Sequence, residues 1–201
     1  AINEDMHGNI LLGGNKGLSI YDGIEFDNYN LYNGLESSYI NDIKVDGNNI
    51  WLASGYGNLI QFNGEKFNNY NENDGLDNRG WISDIEIINS DDIWFGGVYG
   101  LWHFDGNKFR HFNELDGLKY TNIVDILIDN NKDLWISTND MKGKGAIYHY
   151  DKKKFTAMIS PGDEDALNFG TNVIKQTDDG ILYIGSGNGI YKYNSKRIRN
   201  I

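Results

Sequence analysis

One pattern recurs five times along this chain, and it constrains the fold more tightly than any other feature. An aromatic residue followed by Asp or Asn occurs at Tyr21-Asp22, Phe62-Asn63, Phe104-Asp105, Tyr150-Asp151 and Tyr193-Asn194, at intervals of 41, 42, 46 and 43 residues. Five residues after each aromatic stands Phe26, Phe67, Phe109, Phe155 or Ile198. Three further on comes Tyr29, Tyr70, Phe112, Met158 or Ile201, and in the first three copies a Gly-Leu pair follows at Gly34-Leu35, Gly75-Leu76 and Gly117-Leu118. Upstream, each copy carries a short apolar run: ILLGG, IWLAS, IWFGG, LWIST or LYIGS. A unit this short cannot bury its own apolar face, so the copies must stack on one another.

Each copy divides into four short runs of strand composition, which we letter A to D, separated by turn residues; no helix is expected. In the second copy these are 39–46, 49–54, 58–63 and 66–71. The A–B connections (DMHGN, DGNN, NSDD, DNNKD, TDDG) and the C–D connections (DG, NG, DG, DK, NS) have the chemistry of tight hairpins. The pattern predicts an all-β fold, a β-propeller of four-stranded antiparallel blades with five blades, over 1–201 as one domain. Its repeats run over 1–30, 38–71, 80–113, 121–159 and 171–201. All five blades are nearly complete, so the array either closes as a five-bladed ring, the reading preferred here, or forms part of a larger one. Trp51, Trp94 and Trp135 share one place on strand B, with Leu11 and Tyr183 at the equivalents, and are expected to pack between blades.

These residues resemble the two-component regulator propeller repeats, whose pattern runs roughly I-x-x-D-x-x-G-x-(I/L)-W-(I/L)-G-(T/S)-x-x-G-(L/I)-x-x-(Y/F)-(D/N), then F-x-x-(Y/F), then a Gly-Leu loop. The resemblance covers all five copies; the fourth departs from it, with Ala166-Leu167 after a longer loop. It implies an extracytoplasmic sensor region of a bacterial hybrid histidine kinase or related signalling protein, often one that recognises oligosaccharides. No kinase, receiver or DNA-binding segment is present in these residues, so the function carried over is that of the sensing part alone.

Composition removes several classes. The chain has no cysteine, which excludes disulfides, cysteine-ligated zinc and a cysteine nucleophile. With 18 basic and 29 acidic residues the net charge is −11, and the basic residues are scattered, so no nucleic-acid partner is expected. No apolar run approaches the roughly 20 residues that cross a bilayer. The opening AINEDMHGN has no signal-peptide character, and a first residue of Ala suggests a processed or cut chain.

Strands alternate in direction, so the D–A and B–C loops should emerge on one face. The two largest irregularities, 139–145 and 160–170, are a B–C and a D–A loop, which places the candidate ligand site on that face. The residues entering strand A there are Tyr39, Trp81, Tyr120 and Phe169, with Arg79 beside Trp81, and Asn122 and Asn172 at or near the positions of Tyr39 and Trp81. Flat rings beside amide, guanidinium and carboxylate groups suit stacking on a sugar and hydrogen bonding to its hydroxyls; the alternative is that the rings pack as a plug in a narrow axial channel. Asp42, Asp84 and Asp125 recur two residues after the first apolar residue of strand A, with Lys175 in or next to that position in the fifth copy. They either serve a ligand, a cation or acid–base chemistry, or line a wet channel or bond to neighbouring backbone.

Other motifs carry less. Asp129, Asn131 and Asp133 have the opening spacing of a calcium loop, but Leu134 stands where glycine is required, which points to a hairpin turn. His103 and His149 share one strand C position in different copies, too far apart for a common metal. No catalytic signature is present, and no cofactor or metal is expected. Three functions remain open: a sensor for an oligosaccharide or other small polar ligand, a scaffold for a protein partner, and a polysaccharide lyase or glycosidase. The first is preferred.

Overall fold

The computed structural model describes residues 1–76, 80–139, 142, 144–159, 170–187, 189–194 and 198–201. Arg79 and Phe169, and Asn78 beside the former, lie outside them. Five four-stranded antiparallel sheets follow one another along the chain. The first holds β1 (Ile2–Glu4), β2 (Ile10–Gly14), β3 (Gly17–Tyr21) and β4 (Phe26–Tyr29), and the second β5 (Ile40–Asp46), β6 (Asn49–Ser54), β7 (Leu59–Phe62) and β8 (Phe67–Tyr70). The third holds β9 (Ile82–Asn89), β10 (Asp92–Gly97), β11 (Gly100–Phe104) and β12 (Phe109–Phe112). The fourth is β13 (Asn122–Ile128), β14 (Leu134–Asn139), β15 (Gly145–Tyr150) and β16 (Phe155–Ile159), and the fifth β17 (Thr171–Gln176), β18 (Leu182–Ser186), β19 (Gly189–Tyr193) and β20 (Ile198–Asn200). Within each sheet the strands neighbour one another in sequence order, the meander of a propeller blade.

Two compact units divide the chain: residues 1–95 with 103–110, and residues 96–102 with 111–201. In the first unit Leu11, Leu18, Ile43, Leu52 and Ile60 form a core between the first two sheets, closed from the loop side by Leu35. Trp51 is buried against the rings of Tyr70 and Phe104, at 5.9 and 6.1 Å, in a three-ring cluster. In the second unit Trp135, Ile147, Ile174, Leu182, Ile184 and Tyr191 pack between the fourth and fifth sheets.

One departure from the expected all-strand chain is a pair of single 3-10 turns, Glu72–Asp74 and Glu114–Asp116. Each is closed by a capping box, Asn71 with Asp74 and Asn113 with Asp116, and each ends on a left-handed glycine, Gly75 or Gly117. This explains the Gly-Leu pair. The glycine takes the positive φ that stops the turn, and the next residue, Leu76 or Leu118, drops into the core. The glycines at the start of strand C have a different cause. Gly17 and Gly100 sit at φ 110° and 112°, and a Cβ at Gly17 would run into the carbonyl oxygen of Tyr29.

Candidate functional site

Strand A of the second, fourth and fifth sheets carries an irregularity in register at the same place, between Ile40 and Asp42, Ile123 and Asp125, and Thr171 and Val173. Ile40, Ile123 and Thr171 pair with Ser54, Thr138 and Ser186, so they are equivalent. Tyr39 and Asn122 therefore occupy one position, Tyr120 lies two residues before it, and Asn172 two residues beyond, at the position of Asn41.

In the first unit, Tyr39 and Trp81 each stand one residue before a buried isoleucine that opens a strand A, Ile40 and Ile82. Burial of those isoleucines and a hydrogen bond from Gly55 N–H to the Tyr39 carbonyl, at 2.8 Å, fix the backbone. A Cβ at Gly55 would lie 2.7 Å from that of Tyr39, so the close approach requires glycine. The Tyr39 and Trp81 rings lie 6.4 Å apart and 25° from parallel, and Tyr56 from the β6–β7 loop meets Tyr39 edge-on at 5.7 Å. All three rings face solvent, at 42% for Tyr39, 58% for Tyr56 and 58% for Trp81. Tyr56 was missed in the sequence because GYGN reads as an ordinary B–C loop. The signal available was its place on the face where D–A and B–C loops meet.

The recurrent carboxylates have another job. Asp42 Oδ2 accepts from Ile85 N–H at 3.4 Å, and Asp125 Oδ2 accepts from Ile174 N–H at 2.6 Å, each fastening its blade to strand A of the next. Asn3 and Asn41 do the same in reverse, donating through Nδ2 to the carbonyls of Ile43 and Ile82 at 2.8 and 2.7 Å. Asp84 is buried and also partnered. Lys44 stands 2.8 Å from Glu86 and 3.9 Å from Asp42. Burial works against its charge, but Glu86 and Asp42 outweigh that and hold its ammonium above the usual lysine range. In the fifth sheet, Val173 pairs with Gly185 as Asp42 pairs with Ala53 and Asp125 with Ser137. Val173, not Lys175, therefore stands at the carboxylate position, and Lys175 pairs with Tyr183 two residues on. Replacing Asp125 by Ala leaves the amide of the fully buried Ile174 without its acceptor. The expected cost is about 2 kcal/mol, the worth of a hydrogen bond to a charged group, measured by urea unfolding.

In the second unit, Tyr120 and Asn122 line an open cleft of about 720 Å³, together with Tyr99, Lys119, Asn139 and Lys142 among others. Tyr99 and Lys142 come from B–C loops and the rest of these, except Asn139 at the end of β14, from the entry to strand A. Tyr120 is anchored by its N–H, which donates to the hydroxyl of buried Tyr148 at 3.3 Å; burial pushes that phenol's pKa up. Lys119 Nζ lies 5.3 Å from the centre of the Tyr120 ring. The Asn139 amide is committed to Thr171, accepting from its N–H at 2.9 Å, whereas the Asn122 amide has no hydrogen-bond partner among the described residues. Asn172 is exposed on β17.

The histidines are structural partners of tryptophans. Asp92 Oδ1 accepts from Trp94 Nε1 and lies 2.9 Å from His103 Nε2, and the two rings stack at 4.2 Å. In the fourth sheet His149 Nε2 lies 3.1 Å from Asp133, and its ring meets Trp135 at 4.8 Å. Asp129, Asp133 and His149 bring ligand-type atoms within 4.8 Å of one another. Asp129 is nevertheless spent on the hairpin: Oδ1 accepts from the N–H of Asn131 and Asp133, and Oδ2 from Trp135 Nε1.

The class this architecture defines is the β-propeller of four-stranded antiparallel blades. Residues 117–140 match the family described as two component regulator propeller, so the chain carries that family's repeat, as the residues suggested. Among solved structures it is similar, at 20% identity and a TM-score of 0.81 over 100% of its length, to the extracellular domain of a hybrid two-component system from B. thetaiotaomicron, covering 27% of that chain. A second such domain from the same organism matches at 19% identity and a TM-score of 0.57, with 100% of this chain and 34% of the other covered. The WD40 propeller of Doa1 matches at 12% identity and 0.73, over 97% of this chain and 63% of that one. At these identities the likeness is one of fold. The chain spans about a quarter to a third of the two sensor structures. No curated protein matches significantly. No helix among the described residues is long and apolar enough to cross a membrane.

Proposed function

We propose that this chain is the ligand-recognising part of an extracytoplasmic bacterial sensor, binding an oligosaccharide or similar small polar ligand without turning it over. The observation that carries this reading is the exposed cluster of Tyr39, Tyr56 and Trp81. Folding gains little from rings left in water, whereas three of them over rigid strands offer a platform for the apolar face of a sugar. The repeat at 117–140 and the likeness to extracellular sensor domains support the setting. Two of the three recurrent aspartates are engaged by backbone amides, which favours binding over acid–base catalysis.

A thermal-shift screen against plant and host oligosaccharides, with Trp81→Ala in parallel, tests it. Ligand at 100 times its Kd adds about 2.7 kcal/mol, worth roughly 5–10 °C for a chain of this size. One sugar class is expected to raise the Tm of the parent but not of Trp81→Ala, whose unliganded Tm stays near the parent's because the ring is exposed. If no saccharide shifts the parent, the reading fails and the aromatic cluster becomes a surface for a protein partner.

A further inference from the structure

The second sheet shows that a blade has two apolar faces with different partners. Ile43 and Leu52 point back into the core shared with the first sheet, whereas Trp51 and Tyr70 point forward to Phe104. The backward face of the first sheet and the forward face of the fifth are both open. Ile2 pairs with Leu12 as Ile43, Ile126 and Ile174 pair with Leu52, Ile136 and Ile184. It is 72% exposed, although those three isoleucines are at most 2% exposed. Leu12 is half-buried where Leu52, Ile136 and Ile184 are completely buried. At the other end Ile190 pairs with Gly185 as Leu18 pairs with Gly13, Leu59 with Ala53 and Ile147 with Ser137. It is 49% exposed, against at most 1% for Leu18, Leu59 and Ile147, and Ile201 beside it is exposed as well. Exposed apolar surface of this kind marks a contact site.

We propose that these two faces are the halves of one interface between copies of this chain, the fifth sheet of one copy seating on the first sheet of the next. Two observations commit the surface to a second copy. The shapes repeat a contact already made within the chain: Ile43 Cδ1 lies 3.1 Å from where a Cβ on Gly13 would stand, and Gly185, at the position of Gly13, offers the same notch to Ile2 of the neighbour. The charges are complementary as well. Residues 1–30 carry one basic and five acidic residues, whereas residues 171–201 carry five basic and two acidic ones, which favours the first sheet meeting the fifth over either meeting its own kind. The contact is heterologous, since each copy uses one face for one neighbour and the other face for the next.

Light scattering of the whole chain after size exclusion, from about 1 to about 100 µM, tests this. The parent is expected to reach at least twice the monomer mass as concentration rises. Ile2→Asp and Ile190→Asp, both at exposed positions and checked for an unchanged Tm, should each lower the association constant at least about tenfold, because a short carboxylate then enters an apolar contact. Mixed in equal amounts, the two variants should form a dimer of one each that grows no further, since the intact fifth sheet of Ile2→Asp meets the intact first sheet of Ile190→Asp. That mixing also shows that each variant keeps its unaltered face. A parent that stays monomeric throughout, single variants that associate as the parent does, or a mixture that stays monomeric while the parent associates overturns the inference.

Discussion

Replacing Trp51 by Ala should destabilise the first unit by about 3–5 kcal/mol, the largest single-residue loss expected in this protein. Trp51 is 1% exposed and packs against both Tyr70 and Phe104, which also touch each other, so truncation removes the indole's transfer energy and leaves a cavity beside two large rings. At roughly 2–4 °C per kcal/mol the midpoint should fall by roughly 6–20 °C in a thermal melt. A fall of under about 3 °C would show that the rings collapse into the space. The indole N–H of Trp51 has no hydrogen-bond partner among the described residues, unlike that of Trp135, which donates to Asp129 at 3.1 Å. Trp51→Phe therefore sheds an unsatisfied donor along with volume, whereas Trp135→Phe strips a buried carboxylate of one donor. The second change should cost more than the first, although both delete the same atoms.

Gly96→Val is the second large effect expected, about 3 kcal/mol, at the upper end of the overpacking range. A Cβ at Gly96 would lie 2.8 to 2.9 Å from Cγ1, Cβ and Cγ2 of Ile123, atoms next to the backbone that cannot swing aside. Strand β13 would have to retreat from β10. Gly13 shows the same approach to Ile40 in the first unit, so in these two strands B the glycine fourth in the apolar run sets how near the next strand A can come. Urea unfolding of Gly96→Val, Ile123→Ala and the pair measures this: the double variant should be more stable than the sum of the single losses allows. Strict additivity would mean that the contact does not control the spacing.

Much of this architecture was legible because blade formation depends on local periodicity. The strand and turn pattern around Asn49–Ser54 or Leu134–Asn139 is encoded within a few residues, and five copies of it leave one way to hide the apolar faces. The Asn-x-x-Asp-Gly-Leu segments were read as loops with a recurring pair, and their 3-10 turns escaped notice. A capping box followed by glycine was the available sign. The site was legible in part. Tyr39 and Trp81 announced themselves as rings outside the repeat pattern, while Tyr56 belongs to the repeat's own loop and only its packing against Tyr39 singles it out.

Trp51 and Trp81 mark the boundary between the two kinds of knowledge. Position in the repeat alone determined that Trp51 would be buried, because its strand must meet a neighbouring blade, and that residues 1–201 would fold as antiparallel four-stranded sheets. Which side chains outside that pattern face water, and what each polar one touches, depended on partners some forty residues away. Asp42 and Asp125 are bound to Ile85 and Ile174 by hydrogen bonds that no spacing rule foretells. Period-2 alternation specifies which face of a strand is apolar; the tertiary fold decided which atoms lie opposite a carboxylate or a loop ring.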